Sequence, residues 1–389
     1  MSKNKKNIYN NLIISLRRVL GRKNEPLHEP LLIGNEKKYL NQCIDSTFLA
    51  VGKFNDKFEK EISKYTKSKY CVSVVNGTSA IHISLKLLGC DNKHEILVPT
   101  LTFVGTVNAI KYTGAHPHFI DSQENFVNLD ILKLDKYLSK ISIKKGAKTI
   151  NKKTGKIIKA IIPVHTYGHP VEMEGLIKLA NKYNLEIVED AAEGIGSFYK
   201  KKHVGTFGKV GILSFNGNKT ITAGGGGAIL TNDKKIAIKA RHLSTTAKIK
   251  KGYEFIHDEV GYNYRLSNIS SAVGYAQIKN IRKIIKLKRE LFKKYKISLE
   301  KINFVKIMKE PVDCKSNYWL QTILVNQNMI NKKDYIINFL NKNGYGARPA
   351  WKLISELKPY KDNQKMNLSN AKNLQKRIIN IPSSPKILI

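Results

Sequence analysis

Between residues 28 and 250, short apolar runs bounded by turn residues alternate with stretches whose apolar positions recur at helical spacing. The runs at 70–75, 96–99, 116–121, 157–165, 185–189, 210–215 and 227–231 predict strands. The spacing at 78–88, closed by Gly89, and at 171–183 predicts helices between them. That alternation implies an α/β fold with a mostly parallel sheet and helices on both faces. Ahead of it, Ile8, Leu12, Leu16, Val19 and Leu20 form a helical stripe in a basic segment, residues 1–27. Such a stripe either packs on the body of the protein or lies on a membrane surface. Beyond residue 250, the stretch Gly261-Tyr-Asn-Tyr-Arg-Leu266 leads into a long Lys-rich helix over about 270–301. The rest reads as a smaller C-terminal α+β region with a strand at 318–325, and the polar run 144–159 as an exposed hairpin. The chain is thus expected to divide into an N-terminal segment 1–27, a large domain 28–265 and a small domain 266–389.

Composition changes this picture little. At 389 residues and 42% hydrophobic content the chain has ample core for two domains. Its formal net charge is +38, yet only nine of the 68 basic residues are Arg, and the lysines are spread through every segment. Nucleic-acid binders concentrate their basic residues on one face and favour the Arg fork. The diffuse excess therefore argues against nucleic acid as partner; it suits attraction of an anionic small molecule. An anionic-polymer binder remains the alternative of a different class. Four widely spaced cysteines (Cys43, Cys71, Cys90, Cys314) with no C-x-x-C fit neither a zinc site nor a disulfide framework, and point to a reducing cytoplasm. No metal is expected. The apolar run after the basic start is too short for a signal peptide, and nothing approaches a membrane span.

The candidate chemistry lies at three strand ends. Lys219 follows the apolar run at 210–215 and precedes four glycines, Gly224 to Gly227, at the mouth of a loop suited to a Schiff-base lysine. Asp190 ends the run at 185–189, and Asn76-Gly77-Thr78-Ser79 leads from a strand into a helix. An acid for a pyridinium nitrogen, a lysine for an aldehyde and a helix N-terminus for a phosphate together describe a pyridoxal-phosphate (PLP) site. Each has a plain reading: a solvated lysine, an acid capping a helix, a threonine capping a helix, a flexible glycine turn. Phe103 in a strand-like stretch reads by itself as core rather than cofactor wall, and His165 equally as a pocket residue or a satisfied core histidine.

The joint order of Asn76-Gly-Thr-Ser79, Val98-Pro-Thr-Leu-Thr-Phe103, Pro163-Val-His165, Glu189-Asp190-Ala-Ala-Glu193, Ser214-Phe-Asn-Gly-Asn-Lys219, Gly224 to Gly227 and Gly261-Tyr-Asn263-Tyr-Arg265 resembles the DegT/DnrJ/EryC1/StrS family of sugar aminotransferases, over about residues 26–384. The resemblance implies the aspartate-aminotransferase architecture (PLP-dependent transferase fold type I). It implies that Lys219 bonds PLP and shuttles a proton, with Asp190 at the pyridine nitrogen. Gly77, Thr78, Ser79 and Ser214 would hold the phosphate, Phe103 would stack on the ring, and Glu193 would meet the phenolic oxygen. Because an ionised Glu only accepts hydrogen bonds, that last contact implies a proton on Glu193 or a different geometry. Asn263 would be lent by a neighbouring subunit, making a homodimer with shared sites. His165, Arg348 and Trp351 are candidates for the substrate pocket.

Within the family, Pro26-Leu-His-Glu-Pro30, Asn35-Glu, Val51-Gly-Lys-Phe, Ser214 to Lys219 and Arg348-Pro-Ala-Trp351 resemble the branch of legionaminic acid and bacillosamine synthesis. The implied reaction carries an amino group from L-glutamate to C4 of UDP-4-keto-6-deoxy-N-acetylglucosamine. Alternatives are a GDP-4-keto-6-deoxymannose aminotransferase of perosamine type and a sugar dehydratase on the same fold. The dehydratases carry His in place of the Schiff-base lysine, and Lys219 speaks against that reading.

Overall fold

The computed structural model describes residues 3–21 and 24–389. Its N-terminal helix α1 (Lys3–Leu20) is followed by α2 (Glu36–Ser46) and α3 (Lys53–Thr66). The central sheet contains β1 (Tyr70–Val74), β2 (His94–Pro99), β3 (His116–Ile120), β4 (Ile157–Ile161), β5 (Glu186–Asp190), β6 (Val210–Ser214) and β7 (Gly227–Thr231). Helices α4 (Gly77–Leu87), α5 (Val104–Tyr112), α6 (Met173–Lys182) and α7 (Lys234–Ser244) connect or flank these strands. All seven runs expected to be strands are strands, and both predicted helices form.

The strands lie in the order β1-β7-β6-β5-β4-β2-β3. Every neighbouring pair from β6 to β3 is parallel, and β7 runs antiparallel to both β1 and β6. Parallel strands need crossover helices on the sheet faces, so both faces are covered and the strands read as continuous apolar runs. Their side chains, among them Val74, Ile96, Val98, Ile161, Val188 and Ile212, are fully buried in one core with α4, α5 and α6. The carboxyl ends of the parallel strands open onto one edge, where α/β sheets place their ligands.

A second sheet, four-stranded and antiparallel, is built from β8 (Val305–Ile307), β9 (Gln321–Val325), β10 (Arg348–Pro349) and β11 (Ile378–Ile381), in the order β8-β9-β11-β10. Leu12, Ile13, Leu16, Val19 and Leu20 of α1 are buried with Leu291, Tyr295 and Leu299 and with Ile323 and Val325 of this sheet. The stripe therefore packs on the body of the protein; the side chain of Ile8 lies outside the described residues. Among the described residues no helix is long and apolar enough to cross a membrane.

Three expectations change in detail. The long helix over 270–301 is two, α8 (Asn268–Lys279) and α9 (Ile281–Leu299), because Asn280 (ψ 1°) turns the chain and its side chain bonds the Ala276 carbonyl. The hairpin in 144–159 consists of Ser142–Lys145 and Lys148–Asn151 turning at Gly146, and residues 157–159 already belong to β4. The strand over 318–325 starts only at Gln321, because Tyr318 takes a left-handed backbone (φ +50°).

Candidate active site

Strand β1 ends at Val74 and the chain turns directly into α4. The Asn76 side chain caps this helix by accepting the Ser79 N–H at 2.8 Å. Thr78 is therefore not the cap. The amides of Gly77 and Thr78, in the first turn, have no intrahelical acceptor and point out of the helix with its positive dipole end. Ser214, the last residue of β6, lies against this turn: a Cβ on Gly77 would come within 3.2 Å of the Ser214 Cβ. Gly227 opens β7 at the same place, where a Cβ would collide with the Asn76 carbonyl at 2.5 Å. These glycines let three backbones converge into a cradle of N–H and hydroxyl donors, the donor set that a phosphate needs.

Asp190 ends β5 and is 4% exposed. One carboxylate oxygen accepts the Thr106 hydroxyl at 2.7 Å and the other the Ala192 N–H at 3.0 Å. It caps no regular helix; α5 supplies Thr106 to hold it. Three residues on, Glu193 is buried, accepting the Tyr167 N–H at 2.8 Å on one oxygen and facing Lys219 Nζ at 3.3 Å with the other. Burial raises the Glu193 carboxyl above its ordinary value, opposed by the Lys219 charge and the Tyr167 N–H, and the nearby Asp190 carboxylate adds to the rise.

Lys219 stands on the loop between β6 and β7, its side chain 12% exposed. Its ammonium also lies 4.1 Å from the centroid of the Trp319 ring. Phe103, just ahead of α5, is 52% exposed and not a core residue; its ring is 6.4 Å from that of Trp351. Trp351 in turn stacks on Tyr167 at 5.1 Å and 30°. The lysine, the two acids, the phosphate cradle and an open aromatic wall are the parts that PLP requires, so the residues present fit that cofactor.

Three candidates lie differently. His165 is fully buried, its Nδ1 accepting the Val171 N–H at 3.0 Å and its Nε2–H directed at Glu189 Oε2 at 3.3 Å. Glu189 also takes the N–H groups of Gly205, Phe207 and Gly208, so both residues are occupied in tying β5 to the following loop. The expectation that His165 contacts substrate is corrected to the core alternative: it has no ring nitrogen left to offer. Asn263 is exposed, in a loop bridged to Thr245, and Arg348 is exposed on β10. Among the described residues neither side chain is bonded to the Lys219 cluster.

Several site residues carry no motif. Thr106, Tyr167, Asn317 and Trp319 reach Asp190, Glu193 and Lys219 through packing between distant segments. The one signal was scarcity, since both tryptophans of the chain, Trp319 and Trp351, come to the cleft.

Comparison with known proteins places these features in context. The DegT/DnrJ/EryC1/StrS aminotransferase family matches residues 30–388. A GDP-perosamine synthase of Escherichia coli O157:H7 is 37% identical over 363 residues, covering 93% of this chain and 94% of that protein. A UDP-4-amino-4,6-dideoxy-N-acetyl-beta-L-altrosamine transaminase of Campylobacter jejuni (strain 81-176) is 32% identical over 345 residues, 88% of each chain. In structure the chain resembles Helicobacter pylori PseC, an aminotransferase involved in the biosynthesis of pseudoaminic acid. The TM-score is 0.83 at 27% identity, over 92% of this chain and 94% of that one.

Proposed function

Because the chain belongs to the DegT/DnrJ/EryC1/StrS aminotransferase family, we propose that it transfers an amino group from L-glutamate to C4 of UDP-4-keto-6-deoxy-N-acetylglucosamine. Membership makes it a PLP-dependent sugar aminotransferase of fold type I. The nucleotide, the sugar and the donor are the further step. The observation that carries the catalytic assignment is the buried Glu193 beside the Lys219 ammonium, three residues from Asp190.

Bound PLP supplies an electron sink for the carbon from which a proton is removed. The residues do the rest. Lys219 would hold the cofactor covalently and, once freed, would move the proton at the substrate carbon. Asp190, fixed by Thr106 and the Ala192 N–H, would face the ring nitrogen. Glu193, its carboxyl raised by burial, would face the phenolic oxygen. Gly77 and Thr78 through their amides, and Ser79 and Ser214 through their hydroxyls, would hold the phosphate, and Phe103 would wall the ring.

The UDP-linked N-acetylhexosamine is supported by where the branch motifs fall. His28, from the Pro26 to Pro30 stretch, lies beside Lys219, its buried ring nitrogens making among the described residues at most a weak contact to the Asn218 backbone. Burial and the flanking Lys288 and Lys219 hold that imidazole well below its ordinary value, hence neutral. A neutral donor and acceptor at this point suits a sugar substituent better than a phosphate. Trp351, from the Arg348 to Trp351 stretch, reaches the same cleft. The similarity to GDP-perosamine synthase supports the GDP-linked 4-keto-6-deoxymannose as the second reading.

A homodimer completes this reading. Ile44, Phe48, Leu49 and Val51, together with Tyr253, Phe255 and Val260 just ahead of Asn263, are exposed apolar side chains that a second copy would cover. The four cysteines are free, as a reducing cytoplasm maintains them. Product use in a surface glycan of legionaminic acid or bacillosamine type, and the division at residues 27 and 265, belong to the same proposal.

The purified protein should show a visible cofactor band that L-glutamate shifts toward that of the amine form. Supplied with both keto sugars, the glutamate-treated protein should aminate the UDP-linked one. Amination of the GDP-linked sugar alone would establish the second reading. Lys219→Ala should lose transamination of either sugar, and appreciable turnover by that variant would refute the role given to Lys219.

A further inference from the structure

The turn Asn317-Tyr318-Trp319 enters the site from the C-terminal sheet and touches both members of the Lys219–Glu193 pair. Asn317 is fully buried; its side-chain N–H groups donate to the Glu193 carbonyl at 2.7 Å and the Ile195 carbonyl at 2.8 Å, while its oxygen accepts the Trp319 N–H at 2.7 Å. Trp319 is 4% exposed, and its indole N–H donates to the Asn218 carbonyl at 2.7 Å, one residue before the lysine. Its ring face lies 4.1 Å from the Lys219 ammonium, which also meets the Glu193 carboxyl at 3.3 Å.

Between them Tyr318 has φ +50°, a conformation that a bulky residue adopts at a cost and keeps only where its surroundings impose it. Its ring is pinned by stacking on Phe292 at 4.0 Å and 13°. Gly168 is needed at the same place, since a Cβ there would lie 1.8 Å from the Asn317 oxygen. A strained turn held this firmly, with its aromatic face against one ammonium, acts as a device for that ammonium.

We propose that Trp319 is a positioning residue for Lys219. Its indole face holds the lysine cation by the ring quadrupole whenever the amine is not covalently engaged, and its N–H fixes the backbone from which the lysine projects. The amine then stays within reach of the carbon it must protonate instead of turning to solvent. This inference rests on the proposed role of Lys219 but not on the identity of the sugar.

Two variants separate the face from the N–H. Trp319→Leu removes both; Trp319→Phe keeps an aromatic face. Cofactor-free protein treated briefly with an acylating reagent, then digested and weighed by mass spectrometry, reports how freely the Lys219 amine samples solvent. Trp319→Leu should raise acylation at Lys219 by about tenfold relative to other lysines, the scale of a desolvated cation–π contact, and Trp319→Phe should restore most of the protection. In the loaded enzyme, Trp319→Leu should lower kcat for both half-reactions with KM for glutamate and keto sugar little changed.

Unchanged acylation, or a loss confined to the KM for the sugar, would overturn the proposal, the latter making Trp319 a substrate contact. Equal impairment of Trp319→Phe and Trp319→Leu would also overturn it, leaving a purely structural tryptophan. Should the wild-type protein fail to aminate any keto sugar, the acylation of cofactor-free protein still decides the role of Trp319.

Discussion

At the scale of single residues, Glu193 shows how position alters chemistry. Buried near Asp190, the carboxyl is raised above its ordinary value despite the Lys219 ammonium. A group whose folded value is raised stabilises fully below its unfolded value and loses that stabilisation as pH rises through the folded value. Glu193→Gln is neutral at every pH, so its thermal midpoint should gain on the wild type as pH climbs from about 4 towards neutrality. A difference independent of pH would contradict the raised carboxyl. Lys219 and Asp190 were legible because one follows and the other ends an apolar run, each beside residues that mark a turn. Thr106, which holds Asp190, was not: a threonine within an apolar stretch has no local mark, and its meaning comes from a strand distant in sequence. His165 stayed open between pocket and core for a related reason. A histidine at a strand end looks the same in sequence whether its ring faces a cleft or, as here, the Glu189 carboxylate and the Val171 N–H.

Among the elements, periodicity served best where burial is one-sided or complete. The parallel strands are apolar throughout because helices cover both faces, and α1 carries a stripe because only one side of it packs. Leu16 is fully buried in the contact of α1 with α9 and the C-terminal sheet. Leu16→Ala should cost about 2–5 kcal/mol, the range for a leucine cavity. Urea unfolding should show the midpoint falling; an unchanged midpoint would mean that α1 contributes little to the fold. Element ends were read less well. The break at Asn280 sits in a Lys-rich helical pattern that continues on both sides, since periodicity tolerates a one-residue turn. The late start of β9 follows from the left-handed Tyr318, a conformation imposed by packing on Phe292 and by Asn317.

For the whole molecule, acid stability and assembly are the testable consequences. His169 and His203 are fully buried and held neutral, burial lowering each to about 4 from 6.5. A depressed folded value gives stability that is present above the unfolded value and lost as pH falls towards the folded one. The molecule should therefore lose stability from about pH 6.5 to 4, each imidazole contributing on the order of 3 kcal/mol. A denaturation midpoint flat across that window would argue against two buried neutral histidines. Assembly is tested at Phe48, which is 66% exposed. On the proposed homodimer, Phe48→Asp should shift sedimentation from dimer to monomer and remove activity with it, because Asn263 would no longer reach a neighbouring site. A wild-type monomer with full activity would exclude shared sites.

The order of apolar runs determined the strands, their helical connections and the α/β class, because those depend on local periodicity and on burial on both faces. Motif order also located Lys219, Asp190 and the phosphate turn, whose residue types answer to backbone geometry and charge that neighbours in sequence supply. Only the tertiary structure decided that Glu193 meets Lys219, that Trp319 and Thr106 join the site, and that His165 stays outside it. Those facts depend on where segments distant in sequence come to rest, which packing of the whole core sets and no local pattern encodes.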